Sequence, residues 1–600
     1  MKFTQNKNIQ NESGAVMMTS VIFFVVIATI VVLGLTGPSV REYRIANDSI
    51  LSKQSYFLAE SGAEDAYYRL KNHYSTSPSQ TLVLGSFTAV TAMNSLSGGV
   101  VDIVSIGNVN NRQRGVEIKA SGQSNPVFNF GALSSSGGLD LSESNAVVDG
   151  NAYLSGPITG AYGSIITGSA VSASSPGLSI NQSNGSGTPP YDISFGNANA
   201  SKDIMQSFQL NQNSPLNKIA LYIKRVGTPT DATVTIYRNK SVSNTPDFIP
   251  ITSATLSAGS VDTNYSWVDV EFSQKQLLTV GETYWFVVTQ NISASDYYVI
   301  GATNGGYASG IGKIGQFQGV MTDPVSSTSN YYFQIYLGGV LGKILGEIGG
   351  ISIGTTPSDY VQANSVGNVN ATGQIYCTNN LGGTKDISGN SKSCVPQTDP
   401  NISSFPISDT DISGWESDAS SGASSSGDWV VGSFGASTTG PKKISGNVTV
   451  NRGLLTIGGT LWITGDLNFN SNGKINLSSG YGSNSGVVIV DGKINFSGGF
   501  ANGSGADGSY ILLISKSNSM DPASPAINAH NHGPDSAIFY APYGLVTLSG
   551  STALSQVSAY QMSLSAGSTI SYNPNLSSIT FLSGSTIAVP YSISSWVESQ

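Results

Sequence analysis

The chain has 600 residues, including 70 glycines, with 10% charged residues against roughly 25% in average globular proteins, and a net charge of −9. That balance excludes a general nucleic-acid binder, which needs a basic face, and three His and two Cys argue against multi-His or multi-Cys metal sites. A hydrophobic fraction of 39% is too high for disorder, while Gly with neutral hydroxyl and amide residues suits short strands and tight turns, so the chain reads as mainly β, in several domains.

The first 72 residues are the exception. Met1 to Gly14 is a polar leader with Lys2, Lys7 and Glu12. Ala15 to Gly37 follows with 23 residues and no charge, enough helix to span about 34 Å and cross a bilayer core. The leader lysines favour a cytoplasmic N-terminus, which puts everything after Gly37 outside. Pro38 interrupts the pattern, and an amphipathic helix resumes at Ser39. Its apolar stripe is expected to run through Ile50/Phe57, Leu51/Leu58, Ala59, Ala63, Ala66 and Leu70. An uncut signal anchor with a juxtamembrane helix would give the same pattern.

This segment, about residues 10 to 72, resembles the type IV pilin-like proteins, especially the PilX-type minor pilins. The resemblance rests on Ser13-Gly14-Ala15-Val16 ahead of the apolar run and on the stretch from Ser55 to Ala66. It implies cleavage by a prepilin peptidase between Gly14 and Ala15, and association with other pilin-like subunits. The chain departs from the major pilins at the fifth mature position, where Thr19 replaces the Glu that pairs with a neighbour's terminal amine.

Residues 73–135 carry short alternations such as Val116-Glu117-Ile118-Lys119, expected as strands of a small α+β head. In 136–189, tiny apolar pieces separated by Gly and Ser suggest a first solenoid-like segment. Residues 190–337 hold longer strands, such as 218–223, 232–237, 266–272 and 283–288, and read as an inserted, jelly-roll-like β-sandwich. This part resembles small sandwich modules on bacterial surface and carbohydrate-active proteins. Gly338 to Gly354 is expected as a return linker, within a 338–440 segment of linker and solenoid-like sequence that carries the cysteines. In 441–600, apolar pairs recur at Val448/Val450, Leu455/Ile457, Leu461/Ile463, Leu467/Phe469 and Ile475/Leu477, with Gly between them. A strand of about three residues plus a turn, repeated, predicts a C-terminal β-solenoid; a Gly-rich sandwich would space its strands at about 8–12 residues. Gly459 to Gly465 and Ala537 to Pro542 resemble repeat domains attached to PilX-like anchors. The fold expected is therefore one long N-terminal helix followed by a β-solenoid interrupted by a β-sandwich.

Cys377 and Cys394 are the only cysteines, and outside the cytoplasm they should form a disulfide. His530 and His532 with Asp535 sit in a Gly-Pro turn and read as surface, not as a metal site. Asp466, Asp491 and Asp507 are spread through Gly turns, which suits turn stabilisation better than a paired-carboxylate mechanism. The aromatics Trp267, Tyr284, Trp285, Tyr297 and Tyr298 are divided between core positions and candidates for stacking on sugar rings. No cofactor or catalytic residue is expected. The function read from the sequence is a single-pass, pilin-like surface protein with a structural or adhesive role, whose ligand would be a glycan or a host or other surface protein. The alternative is a surface-anchored β-helix enzyme acting on carbohydrate.

Overall fold

The computed structural model describes residues 13–71, 79–95, 100–122 and 130–599, apart from 142, 144, 241–243, 401–404, 406, 532–535, 566, 580 and 582–590. The protein is mainly β with one long N-terminal helix, and divides into two compact units. The first comprises residues 1–123 and 590–600; the second comprises 124–589.

The first unit is built on helix α1 (Ser13–Lys71). Pro38, expected to break the pattern, lies inside it. A proline in a helix interior removes one hydrogen bond, and the helix runs on through this one, just past the uncharged span. From Val16 to Leu35 every large apolar side chain is exposed, and the helix is long and apolar enough to cross a membrane. Its later part lies on an antiparallel sheet of Ser79–Leu84, Phe87–Ser95, Val100–Val109 and Arg112–Gly122.

The buried file on α1 is narrower than the expected stripe. Ser55, Leu58, Ala59, Ala63 and Ala66 are buried, whereas Ile50 and Phe57 are exposed. Small residues win because helix and sheet approach closely. A Cβ on Gly107 would lie 2.2 Å from the Ser55 carbonyl oxygen, and one on Gly62 2.5 Å from Ser105 Oγ. Ser55 Oγ is 2.6 Å from the Gly107 carbonyl oxygen, which ties α1 to that strand. The fifth strand of this sheet is Tyr591–Ser599, paired antiparallel to 115–122. The reading of 441–600 as one repeat region is corrected here: the last strand belongs to the first unit. Its pairing partner lies more than 450 residues away, and periodicity carries no information at that range.

In the second unit, short parallel strands stack around one continuous apolar core. Lys442–Ser445, Leu461–Ile463, Gly486–Val490 and Ile511–Ser515 pair in succession on one face. Val448–Asn451, Leu467–Asn470, Ile494–Ser497 and Ile527–His530 do so on a second. Leu454–Ile457, Lys474–Leu477 and Phe500–Asn502 form part of a third. The apolar pairs expected inward are fully buried at Leu461, Ile463, Leu467 and Phe469, and Phe469 stacks on Phe496 at 4.2 Å.

The order of the stack is not the order of the chain. Gln556–Leu564 pairs with Ala132–Leu141, which leads on to Ala152–Ser155, Ala170–Ala173, Val361–Gly367 and Ile375–Asn380. The two repeat segments expected separately therefore form one stack that begins near residue 423 and ends near 395. Gly338 to Gly354 is not a plain linker, since Lys343–Gly346 and Ile351–Ile353 are strands of this stack. The head does not extend to 135, because Ala132 pairs with Val557.

Between the last rung and the first in chain order, the helix that precedes residue 423 lies against the first face. Helix α2 (Asp409–Gly422), capped by Ser408 and Asp411, buries Ile412 and Trp415. They share a cluster with Leu133, Val487, Ile489, Leu512, Ile514, Ile538 and Tyr540. This cover explains why strands 487–490 and 511–514 are apolar on both faces.

Between Ala173 and Lys343 the chain leaves the stack and forms two antiparallel sheets of eight and six strands, and since Ser179–Asn184 pairs with Phe333–Leu337 the module starts at 179, before the expected 190. Phe195, Phe208, Ile219, Leu221, Phe286, Ile300 and Phe333 make their common core. The exit and return are adjacent: Lys343 N donates to Ser172 Oγ at 2.8 Å and Gly342 N to Ser174 Oγ at 2.9 Å.

Candidate functional site

Three places carry chemistry: the junction at the start of α1, a charged cleft, and an aromatic sheet face. Ser13, Gly14 and Ala15 are the first residues of α1, while residues 1–12 of the leader lie outside the described residues.

The four aromatics read as core positions or candidates for sugar stacking, Trp267, Trp285, Tyr297 and Tyr298, do not lie on one face. Trp285 is fully buried in the six-stranded sheet, its Nε1 donating to Asn239 Oδ1 at 2.8 Å. Tyr298 is fully buried, its hydroxyl donating to the Thr230 carbonyl at 2.9 Å. Neither ring is presented to a ligand, because strict alternation turns both toward packed faces. Tyr297 is half-buried beside them in sequence. Trp267 is the ring that emerges, 36% exposed.

Trp267 stands opposite Tyr222 on the next strand, ring centroids 5.2 Å apart. Tyr222 stacks on Tyr265 at 5.2 Å with planes 9° apart, and meets Tyr332 at 5.9 Å. The hydroxyl of Tyr265 donates to Asp192 Oδ1 at 2.9 Å, and Lys224 Nζ donates to Asp192 Oδ2 at 2.8 Å while lying over the Tyr265 ring. The Lys224 hydrogen bond, against some burial, holds the Asp192 carboxyl below the usual carboxylate range. Four residues before Tyr222 on the same strand, Lys218 pairs with Asp269 and lies over Tyr336, whose hydroxyl donates to Gln334 Oε1. Tyr222, Tyr265 and Tyr336 were missed as site residues; the i, i+2 set Lys218, Ala220, Tyr222, Lys224 was the available signal.

A cleft of about 720 Å³ lies where α2 meets the six-stranded sheet and the stack. Arg238 is buried there between Asp247 (3.0 Å) and Asp409 (3.1 Å), over the ring of Tyr543, which itself donates to Asp409 Oδ2. Burial alone would lower the Arg238 pKa, but Asp409 and Asp247 outweigh it and raise it. Lys516 lies 2.5 Å from Glu416 and 3.1 Å from Asp491, and Trp462 Nε1 donates to the same Asp491 oxygen. Each buried cation stands between two carboxylates, as in a seam that fixes orientation; removal of one partner from such a seam costs far more than the pair contributes.

The dispersed carboxylates stay dispersed. Asp466 Oδ1 accepts from Lys493 N, Asp491 is in the seam, and Asp507 is exposed. His530 is exposed and 3.0 Å from Ser549 Oγ, while His532 and Asp535 lie outside the described residues. Among the described residues no group of three or more His, Cys, Asp and Glu could hold a metal. Cys377 and Cys394 form a disulfide at the end of the stack, Cα atoms 5.4 Å apart.

No family model and no curated protein matches this chain. Among solved structures it is similar to the competence-associated pilin ComZ from Thermus thermophilus, with 9% identity and a TM-score of 0.17 over 92% of this chain and 97% of that one. So low a score carries nothing into the reading that follows.

Proposed function

We propose that this is a single-pass membrane protein of the pilin-like, minor-pilin type that displays a large β body on the outer side of the membrane. The observation that carries the reading is Ser13-Gly14 ahead of the 23 uncharged residues Ala15 to Gly37, on a helix that continues into the small-residue face packed on the antiparallel sheet. In this reading a prepilin peptidase cuts between Gly14 and Ala15, and α1 packs beside other pilin-like subunits. The N-terminus is cytoplasmic and the bulk of the chain is extracellular or periplasmic, where the Cys377–Cys394 pair oxidises. We read the parallel stack as a β-solenoid and residues 179–337 as a β-sandwich inserted into it. The role is structural or adhesive, without a catalytic residue.

Mass spectrometry of the mature protein from cells tests this. The expected N-terminus is Ala15, and Gly14→Val blocks processing. An intact Met1 on the surface-exposed protein overturns it.

A further inference from the structure

We infer that the sheet face bearing Trp267, Tyr222 and Tyr336 is a binding platform for an uncharged polysaccharide chain. The inference rests on reading residues 179–337 as the displayed module.

The face carries two aromatic groups on either side of a small residue. Tyr222 with Trp267 stands on one side, Tyr336 under Lys218 on the other, and Ala220 lies between them, in register with Asp269 and Gln334. Tyr222 and Lys218 are four residues apart on one strand, about 13 Å, which exceeds a single sugar ring and favours a chain. Aromatic faces attract the apolar C–H faces of pyranose rings, and the carboxylates of Asp192 and Asp269 and the amide of Gln334 offer hydrogen bonds to equatorial hydroxyls.

Charge decides the class of chain. Both lysines of the face are spoken for, Lys224 by Asp192 and Lys218 by Asp269. Glu271, in register with Lys218, adds a further negative charge. A polyanion therefore meets no free cation here and one excess acid. A strand edge seeking a peptide would not need the rings, and Trp267 remains 36% exposed on an edge strand of the sheet.

The test uses the full chain in detergent with cellulose, chitin and galactomannan as uncharged probes, alginate as the anionic one and chitosan as the cationic one. Retention on at least one uncharged probe is expected, and it should persist at roughly 0.5 M salt, where charge attraction is screened. Trp267→Ala should weaken it about tenfold, while Trp267→Phe stays within about threefold. Asp269→Ala, at an exposed position, serves as the second variant and should also weaken it. Retention on no uncharged probe overturns the inference. So does binding only to alginate or chitosan, or binding that neither Trp267→Ala nor Asp269→Ala changes. Any of these leaves cleavage at Gly14 untouched, so failure of the platform and failure of the anchor reading are distinguishable.

Discussion

The parallel stack and the two-sheet module are both all-β, yet they solve the same problem differently. Between residues 442 and 515 the stack uses strands of three to five residues, each bonded to the rungs above and below, so its core grows by repetition. Its outward positions carry polar files such as Asn495, Asn528 and Thr547, hydrogen-bonded from rung to rung. The module uses antiparallel strands such as Ser214–Val226 and Thr245–Leu256, and closes its core with large aromatics drawn from many places in the sequence. A repeat that bonds only to its neighbours tolerates a chain that leaves and returns at adjacent points, which is how Ala173 and Lys343 frame the module. A closed core like that of the module could not be interrupted so cheaply.

The largest expected effect comes from breaking the stack where its core is most ordered. Phe469→Ala removes one ring of the Phe469–Phe496 stack and should cost about 3–5 kcal/mol, while Thr464→Ala, at a half-buried position beside a turn, should cost under about 1. If the two regions differ as described, the loss is local. Hydrogen exchange read by mass spectrometry should rise across 442–502 in Phe469→Ala, and stay unchanged in the module strands 214–226 and 283–289. Equal, small losses for both substitutions would mean the register is wrong. A rise in both regions would mean they melt as one.

The next effect lies where the two regions meet. Arg238→Met leaves Asp247 and Asp409 buried without their cation and should cost about 3 kcal/mol. Adding Asp247→Asn and Asp409→Asn should recover most of it, because the penalty comes from unpaired charge. A loss under about 1 kcal/mol for Arg238→Met, measured by chemical denaturation, would make the seam a surface feature. No recovery in the triple variant would assign the loss to packing against Tyr543 instead.

What could be read from the sequence follows the same division. Inward positions of the stack were legible because alternation over a three-residue strand is local: Leu461, Ile463, Leu467 and Phe469 point in as their spacing requires. The order of rungs was not, because every rung resembles the next and nothing local says that 556–564 precedes 132–141. Continuous apolar runs such as 487–490 marked strands covered on both sides, but the cover, Ile412 and Trp415, sits on a short, polar-looking helix. On α1 the charge-free span was plain, while the packed face depended on how closely Gly62 and Gly107 let the backbones approach, a property of the pair and not of either segment. In the module, alternation identified the strands but not which face was core. Trp285 therefore went inside with Tyr298, and Tyr222, on the strand beside Trp267, was overlooked.

The smallest effect sharpens the seam by pH. Glu282, half-buried on the six-stranded sheet side of the cleft, accepts a hydrogen bond from Thr410 Oγ1 at 2.6 Å. Burial pushes its carboxyl above the ordinary value; the Thr410 bond opposes this, and Asp409 and Asp411 add to the upward push. A carboxyl whose folded pKa lies above its unfolded one contributes stability that is fully present below the unfolded value, about 4.3, and is lost as pH rises through the folded one. Once ionised, Glu282 is therefore a liability between module and helix. Glu282→Gln keeps an acceptor for Thr410 and removes that charge. The melting temperature of the variant should exceed that of the unmodified protein by roughly 1–2 °C near pH 8, and the difference should vanish near pH 4, where the carboxyl is protonated. A gain of equal size at both pH values would show that the amide improves packing and that charge at this position is indifferent. A loss at pH 8 would show that the ionised carboxylate is held by its surroundings, and would place Glu282 among the paired charges of the seam with Asp247 and Asp409.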